Sequence, residues 1–172
     1  NPASFQSLIE KLGDAVADYL LFQIASGVHA VQLFDSWIGL VPAAAYESLI
    51  APTLTRVHDR LRISAPDVPV IYFANGAPHL VSAAAATGPN VLATCWRTSP
   101  AALRAAASKE SLAVQGNLDP AVLLTDPATV RASTETMLRA FGAAPGYIAN
   151  LGHGLTPEVP VANARAFIET VQ

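Results

Sequence analysis

The amino-acid sequence predicts an α/β fold built around a parallel sheet, and three observations support this prediction. Five short apolar runs alternate with segments of helical periodicity along the whole chain, which is the order of a parallel sheet with helical crossovers. Several of these runs end in Gly, Asn, Asp or His, as strands do where they deliver polar groups to one rim of a sheet. No Rossmann or P-loop glycine motif is present, which disfavours a nucleotide-binding sheet.

The apolar runs predict five buried strands, since strands covered on both faces are continuously apolar. In chain order these are Val31–Phe34, Pro69–Phe73, Val91–Thr94, Leu112–Gln115 and Tyr147–Leu151. The longest charge-free stretch, residues 19–34, joins a helical pattern to the first strand and contains several polar side chains. We therefore interpret it as a buried helix and strand, and not as a membrane span.

Helices are expected between the strands, from apolar residues at helical spacing and from start and stop signals. The predicted helices lie at residues 5–24, 46–61, 78–88, from 100, from 120, at 127–141 and at 161–171. Pro52 should kink or restart the second of them. Ser99, Asp119 and Asp126 each precede a proline, which predicts an N-cap followed by proline at the first helical position.

The length and continuity of the chain predict a single domain over residues 1–172 that forms part of a barrel. No linker or low-complexity tract interrupts the alternation of strands and helices. A complete (β/α)8 barrel needs about 250 residues, so a chain of 172 residues matches half of one plus a terminal strand. Because the first residue is Asn1 and not Met, we expect a processed product, a truncated one, or a sequence given without its beginning.

The composition excludes some classes of protein. The chain is 52% hydrophobic and 13% charged with a net charge of −3, so neither disorder nor nucleic-acid binding is expected. No signal peptide opens the chain, and Cys95 is its single cysteine, which excludes an internal disulfide and fits a reducing compartment. The expected location is the cytoplasm, without membrane attachment.

Two polar residues at predicted strand ends are the main site candidates. His153 lies between two glycines after the last strand, and Ser36 follows the first. An imidazole there can donate a hydrogen bond to a carboxylate or act as an acid near neutral pH, and the hydroxyl of Ser36 can donate to a carboxylate oxygen. Taken alone, His153 can equally cap a backbone carbonyl and Ser36 can cap a helix.

Long motifs in this chain resemble those of the uroporphyrinogen decarboxylase family. Gln32–Gly39 is similar to the family's Phe-(Glu/Asp)-Ser-x-Ala-Gly segment, and Val70–Ala74 to its middle strand. Gln115–Pro120 and Tyr147–Gly154 match two further motifs of high specificity, in order and correctly spaced. Three residues depart from the pattern: Ile38 replaces an alanine, Asn75 a common lysine, and Cys95 an aspartate.

The resemblance implies the later half of a (β/α)8 barrel in a homodimeric decarboxylase that needs no cofactor or metal. Members of the family remove carboxyl groups from the four acetate arms of uroporphyrinogen, which gives coproporphyrinogen in heme biosynthesis. Ser36 and His153 are then substrate-binding residues, with His153 also catalytic, while Asp35, Trp37, Tyr72 and His79 are candidates to line the cleft. The family's arginines, central aspartate and active-site tyrosine belong to the earlier half, which must be supplied separately.

Three alternative functions fit parts of the sequence. A serine hydrolase is disfavoured because Phe34 stands at the first glycine of a nucleophile elbow. A zinc-dependent methyltransferase of the same superfamily needs a His-x-Cys pair and a later cysteine, and this chain has one cysteine. The third alternative is a non-catalytic fragment or binding module, since half a barrel exposes strand edges.

The remaining polar residues are expected to have structural roles. We expect Asn117 and Asp119 to organise a turn and cap a helix. His29 lies before its strand, at the end away from the rim, and His58 is expected on a solvated helix face. Arg97 follows a strand end and is expected in a solvated loop.

Overall fold

The computed structural model describes residues 1–172 and shows one five-stranded parallel sheet. The strands are β1 (Val31–Asp35), β2 (Val70–Ala74), β3 (Val91–Thr94), β4 (Ala113–Leu118) and β5 (Tyr147–Leu151). They are arranged in the order β1-β2-β3-β4-β5, with every neighbouring pair parallel. In a (β/α)8 barrel the strands lie side by side in the order in which they occur along the chain, as they do here. In a doubly wound sheet this strand order reverses at a switch point. The predicted fold class is confirmed.

Helices connect the strands as predicted. They are α1 (Pro2–Ala25), α2 (Ala43–Ala45), α3 (Ala51–Ser64), α4 (Val81–Ala85), α5 (Pro100–Glu110), α6 (Pro127–Phe141) and α7 (Val161–Val171). A π-helical turn, Tyr46–Ile50, joins α2 to α3, and Pro52 lies in the first turn of α3, where its missing N–H is tolerated. Short 3-10 turns at Ile38–Leu40, Pro78–Leu80 and Pro120–Leu124 follow β1, β2 and β4. No helix combines the length and apolar character that a bilayer span requires.

Local sequence signals explain the helix starts. The side chain of Ser99 accepts a hydrogen bond from the Ala102 N–H, and that of Asp126 accepts from the N–H groups of Ala128 and Thr129. These contacts satisfy N–H groups that have no partner within the helix. Asp119 caps in the same way, but the segment after it is a 3-10 turn and not a longer helix.

Two further segments differ from the sequence-based prediction. The fourth strand continues through Gly116 and Asn117 to Leu118, where the sequence predicted a turn. The buried amide of Asn117 donates to the carbonyls of Cys95 and Thr98, so a polar side chain is satisfied inside the sheet. The helix after β2 is also shorter than predicted, because a 3-10 turn replaces its first residues.

Side chains alternate between the two faces of the sheet and so divide the core from the cavity described below. Along β1, Val31 and Leu33 pack against buried apolar clusters beneath the helices, while Gln32 and Phe34 line the open face. The larger cluster contains Tyr46, Tyr72 and Leu92 and extends along the helix side of the sheet. The sheet therefore has one face buried under helices and one face that forms a concave surface.

His58 is buried, and the expectation that it lies on a solvated helix face is wrong. Only 2% of the residue is exposed, because the side of α3 that carries it packs against the core. Its Nδ1 lies 2.9 Å from the Thr87 carbonyl oxygen, while Nε2 has no hydrogen-bond partner. Burial lowers the pKa of His58, and the hydrogen bond to Thr87 opposes this only in part. The ring is therefore neutral at neutral pH.

We predict that His58 makes the stability of the chain depend on pH below neutrality. Its pKa in the folded state is lower than in the unfolded state, so the unfolded chain binds the extra proton first. The free energy of unfolding should therefore fall as the pH drops through about 6.5, the unperturbed histidine value. Urea denaturation at pH 7 and pH 5 measures this loss.

His58→Asn, which can still donate to the Thr87 carbonyl, should lose less stability over that pH range. His29→Asn, at an exposed position, is the matched control and should behave like the unsubstituted chain. Equal pH dependence in all three proteins would contradict the prediction.

Candidate active site at the carboxyl rim of the sheet

A cavity of about 360 Å³ opens at the carboxyl ends of the strands, on the face of the sheet that helices do not cover. Its lining comes from all five strands or the residues that follow them. The lining residues are Gln32, Phe34, Ser36, Phe73, Ala93, Thr94, Gln115, Asn150, Leu151, His153 and Gly154. Apart from the titratable His153, no member of this set carries a charged side chain, so the cavity itself does not repel an anionic ligand.

Ser36 and His153 line this same cavity, although they follow the two edge strands of the sheet. Ser36 comes directly after β1 and His153 two residues after β5. A flat sheet would place these edges four strand spacings apart, so their shared cavity reflects the curvature of the sheet. Both residues are exposed, which leaves the hydroxyl and the imidazole accessible to a ligand.

Aromatic rings form a continuous apolar surface beside His153. The ring centroids of Phe34 and Phe73 are 5.9 Å apart, and those of Phe73 and His153 are 6.3 Å apart, both in edge-to-face geometry. Phe34 is 65% exposed while Phe73 is nearly buried, so Phe34 offers its ring to the cavity. An apolar surface beside a few polar groups is the usual composition of a site for an organic ligand.

Phe34, Phe73 and the two glutamines line the cavity but were not predicted from the sequence. Gln115, at the base of the cavity, donates from Nε2 to Oε1 of Gln32 across a distance of 3.3 Å. The alternation of side chains along a strand could have predicted two of them. If β1 continues to Ser36, then Phe34 and Gln32, two and four positions earlier, lie on the same face as Ser36. Phe34 pairs in register with Phe73, which extends the same face to the next strand.

Asp35 and Tyr72 do not line the cavity, so this part of the sequence-based prediction is wrong. Each lies one position out of phase with the cavity-lining residues of its strand and faces the helices. The Tyr72 hydroxyl donates to Oδ2 of Asp35 at 3.1 Å and receives a 3.4 Å hydrogen bond from the Tyr46 hydroxyl. Tyr72 is completely buried, so its ring cannot pack against a ligand on the open face.

Burial dominates the electrostatics of this internal network. It raises the pKa of the Asp35 carboxyl, although the hydrogen bond from Tyr72 opposes the shift. Burial also raises the pKa of the Tyr46 hydroxyl to about 12, and it raises the pKa of the Tyr72 hydroxyl well above its usual value. Both tyrosines are therefore neutral donors at physiological pH, and their role is to hold the end of β1 from behind.

Trp37 and His79 also lie outside the main cavity. His79 is exposed, and its Nε2 lies 2.9 Å from the Val41 carbonyl oxygen, so it fastens the loop after β1 and does not face the cleft. Trp37 is 79% exposed. It lines a second cavity of about 240 Å³ beside the first, and Ser36 lines both.

The two glycines beside His153 have different roles. A Cβ on Gly152 would lie 2.4 Å from the backbone nitrogen of Trp96, whereas a Cβ on Gly154 would meet nothing within 4 Å. Gly152 also donates its N–H to the Leu118 carbonyl. Gly152 therefore allows the loop after β5 to pack against the loop after β3, and only Gly154 borders open space.

The residues of this chain do not form a metal site. No group of three or more His, Cys, Asp or Glu is arranged to hold a metal ion. Cys95 is buried, and its Sγ accepts a hydrogen bond from the Gly76 N–H at 3.3 Å. The zinc ligands that the methyltransferase alternative requires are thus not provided by these residues.

The fold and the site define an α/β protein of partial-barrel architecture with a ligand cavity at the carboxyl rim of its strands. The sequence profile described as uroporphyrinogen decarboxylase (URO-D) matches residues 1–172. The chain is 42% identical to the uroporphyrinogen decarboxylase of Ectopseudomonas mendocina over 178 residues, and 39% identical to that of Synechococcus sp. over 171 residues. The chain belongs to the uroporphyrinogen decarboxylase family.

The chain spans about half the length of these relatives. The alignments cover 99% of this chain but 48% and 49% of the two relatives. A solved methyltransferase from Methanosarcina mazei superimposes with a TM-score of 0.76 at 14% identity, covering 92% of this chain and 46% of that chain. At that identity the likeness shows the fold alone, and it agrees with a partial barrel.

We predict that Gly152→Ala destabilises the chain by about 1–3 kcal/mol, the usual cost of forcing extra volume into a packed site. The new methyl group would overlap the backbone of Trp96, which cannot move aside as a flexible side chain can. Urea denaturation measures the change in the free energy of unfolding. Gly154→Ala is the matched control and should change stability by less than about 1 kcal/mol. Similar losses in both variants would show that the close contact does not constrain the loop.

Proposed function

We propose that this chain forms the carboxyl-terminal half of a barrel, as a single domain, in a uroporphyrinogen decarboxylase. The complete protein would convert uroporphyrinogen to coproporphyrinogen in heme biosynthesis by removing carboxyl groups from the acetate arms. The observation that carries the proposal is the shared cavity of Ser36 and His153, which lies beside the Phe34 and Phe73 rings. Family membership over residues 1–172 supports the same reaction.

The cavity suits a large ring that carries carboxylate arms. The exposed Phe34 ring offers an apolar surface to the macrocycle. The hydroxyl of Ser36 and the imidazole of His153 lie where they can donate hydrogen bonds to carboxylate oxygens at the rim. Hydrogen bonds to charged acceptors are stronger than those to neutral ones, so these two groups would orient the arms and not only contact them.

The chemistry requires a group that accepts the electrons left when CO₂ departs. A pyrrole ring can accept them once it is protonated beside the acetate arm, so no organic cofactor or metal is required in this proposal. The protein must then stabilise a cationic ring, for which a preorganised carboxylate is the most effective group. No Asp or Glu lines the cavity, so that carboxylate would come from the other half of the barrel.

His153 would act as a hydrogen-bond donor to a carboxylate or as a proton donor near the ring. A histidine imidazole can serve in either role. The side chain stands at the end of β5 behind Gly152, whose contact with Trp96 fixes the loop. The position of His153 on the cavity lining supports this role, and that of Ser36 supports a role as a second donor.

We also propose that the complete enzyme is a cytoplasmic homodimer. The basis is family membership together with the expectations drawn from the sequence. The sheet is open at β1 and β5, and α1 exposes several large apolar side chains: Phe5, Leu8, Leu12, Tyr19 and Phe22. These surfaces require cover from the missing half or from another subunit.

The test is a chimaera that joins the amino-terminal half of the Ectopseudomonas mendocina relative to this chain. Under anaerobic conditions it should convert uroporphyrinogen to coproporphyrinogen, quantified by chromatography after oxidation to porphyrins. This chain alone should be inactive, because it lacks the carboxylate that stabilises the ring. A folded chimaera that forms no coproporphyrinogen would contradict the proposed function and favour a non-catalytic binding module.

Within the active chimaera, His153→Ala should lower kcat/KM by about ten- to a hundredfold, the usual effect of losing a hydrogen bond to a charged group. Partly decarboxylated intermediates should accumulate, because the arms are no longer held in place. His29→Ala, at an exposed position in the loop that precedes β1, is the matched control. Unchanged kinetics and product distribution in His153→Ala would refute the role assigned to this residue.

A further inference from the structure

A second cavity of about 240 Å³ adjoins the first at the carboxyl rim. The guanidinium of Arg97, which forms no ion pair within the chain, belongs to a residue of the cavity lining. The full lining consists of Ser36, Trp37, Gly39, Leu40, Asn75, Gly76 and Arg97. Ser36 also lines the first cavity, so a ligand in the main cavity can extend into the second past this side chain. No acidic residue lines either cavity. The second cavity therefore offers a positive charge without an internal counter-charge.

Arg97 differs from most arginines of this chain. Five others form ion pairs with acidic side chains: Arg56, Arg60, Arg62, Arg131 and Arg139. Arg104 donates to the Phe141 and Ala144 carbonyls. Arg97 makes neither kind of contact, and its guanidinium instead stacks over the Trp96 ring, 4.6 Å from the centroid. Stacking orients the guanidinium plane while leaving its N–H donors free.

One wall of the second cavity is rigid, because the backbones after β1 and β2 touch there. A Cβ on Gly39 would lie 2.4 Å from the Gly76 carbonyl oxygen, and the Gly39 N–H donates to the Asn75 carbonyl. The Asn75 side chain donates to the Ser36 carbonyl at 3.0 Å. Hydrogen bonds and backbone contacts thus fix the backbone of this wall, while the exposed side chains of Ser36, Trp37, Leu40 and Arg97 also border the cavity.

We propose that Arg97 binds a carboxylate arm of the ligand whose ring occupies the first cavity. This inference rests on the proposed function, since it takes a polycarboxylate as the ligand. A guanidinium presents paired N–H donors that match a carboxylate, and its charge does not depend on pH in the physiological range. Ser36, between the two cavities, would contact the same arm or its neighbour. Arg97 is then a binding residue that selects ligands by the number of their acidic arms.

The test uses the chimaera described above and uroporphyrin, the oxidised and fluorescent octacarboxylate, as the probe. Arg97→Gln should weaken uroporphyrin binding about fivefold, the effect of losing one partly exposed ion pair. Because the lost contact is electrostatic, the affinity of this variant should also depend less on salt concentration. Arg97→Lys should restore part of the affinity and the salt dependence. Fluorescence titration at low and high salt measures both.

Arg165→Gln is the matched control, because Arg165 is exposed on α7 and lines neither cavity. It should bind uroporphyrin like the unsubstituted chimaera. Equal affinities in Arg97→Gln and Arg165→Gln would overturn the inference. So would a loss of stability without a loss of affinity, since it would show that Arg97 pairs with an acid of the other half.

The two proposals fail in different ways. If the chimaera turns over uroporphyrinogen and His153→Ala impairs it, but Arg97→Gln does not weaken binding, only the role of Arg97 is wrong. If the unsubstituted chimaera neither binds uroporphyrin nor decarboxylates uroporphyrinogen, the proposed function fails, and the inference about Arg97 fails with it.

Discussion

The structure depends on the sequential pairing of five parallel strands, because this pairing directs every strand's carboxyl end to one rim. Register carries the effect from strand to strand: Phe34 pairs with Phe73, and Asp35 with Ala74. Alternation of side chains then decides which residues meet a ligand. Ser36 faces the cavity, while its neighbour Asp35 contacts Tyr72 behind the sheet. A slip of one residue in β1 would exchange these two side chains.

Much of the fold was predictable from sequence, because its signals are local. Apolar runs located the five strands, and Ser99 and Asp126 marked helix starts through their capping geometry. The end of β4 was not predictable in this way, since Gly116 and Asn117 are typical turn residues. Inside the sheet Asn117 finds its partners on Cys95 and Thr98, and these partners depend on tertiary structure.

The site was predictable to a smaller extent. Motif resemblance selected Ser36 and His153, which the structure brings to one cavity. Proximity to a strand end was not enough to predict where Asp35 and Tyr72 face, because half of the residues near a strand end face the helices. His58 shows the same difficulty on a helix: it was expected on a solvated face, but the packing of α3 buries the ring. Which face is buried depends on the neighbouring elements and not on the segment alone.

The contact between Gly152 and Trp96 joins the loop that carries His153 to the loop that carries Arg97. Gly152 precedes the imidazole of the first cavity, and Trp96 supports the guanidinium of the second. Since backbone touches backbone at this point, a shift of either loop would displace both polar groups together. A residue larger than glycine at position 152 would therefore disturb the guanidinium beside the second cavity as well as the imidazole beside the first.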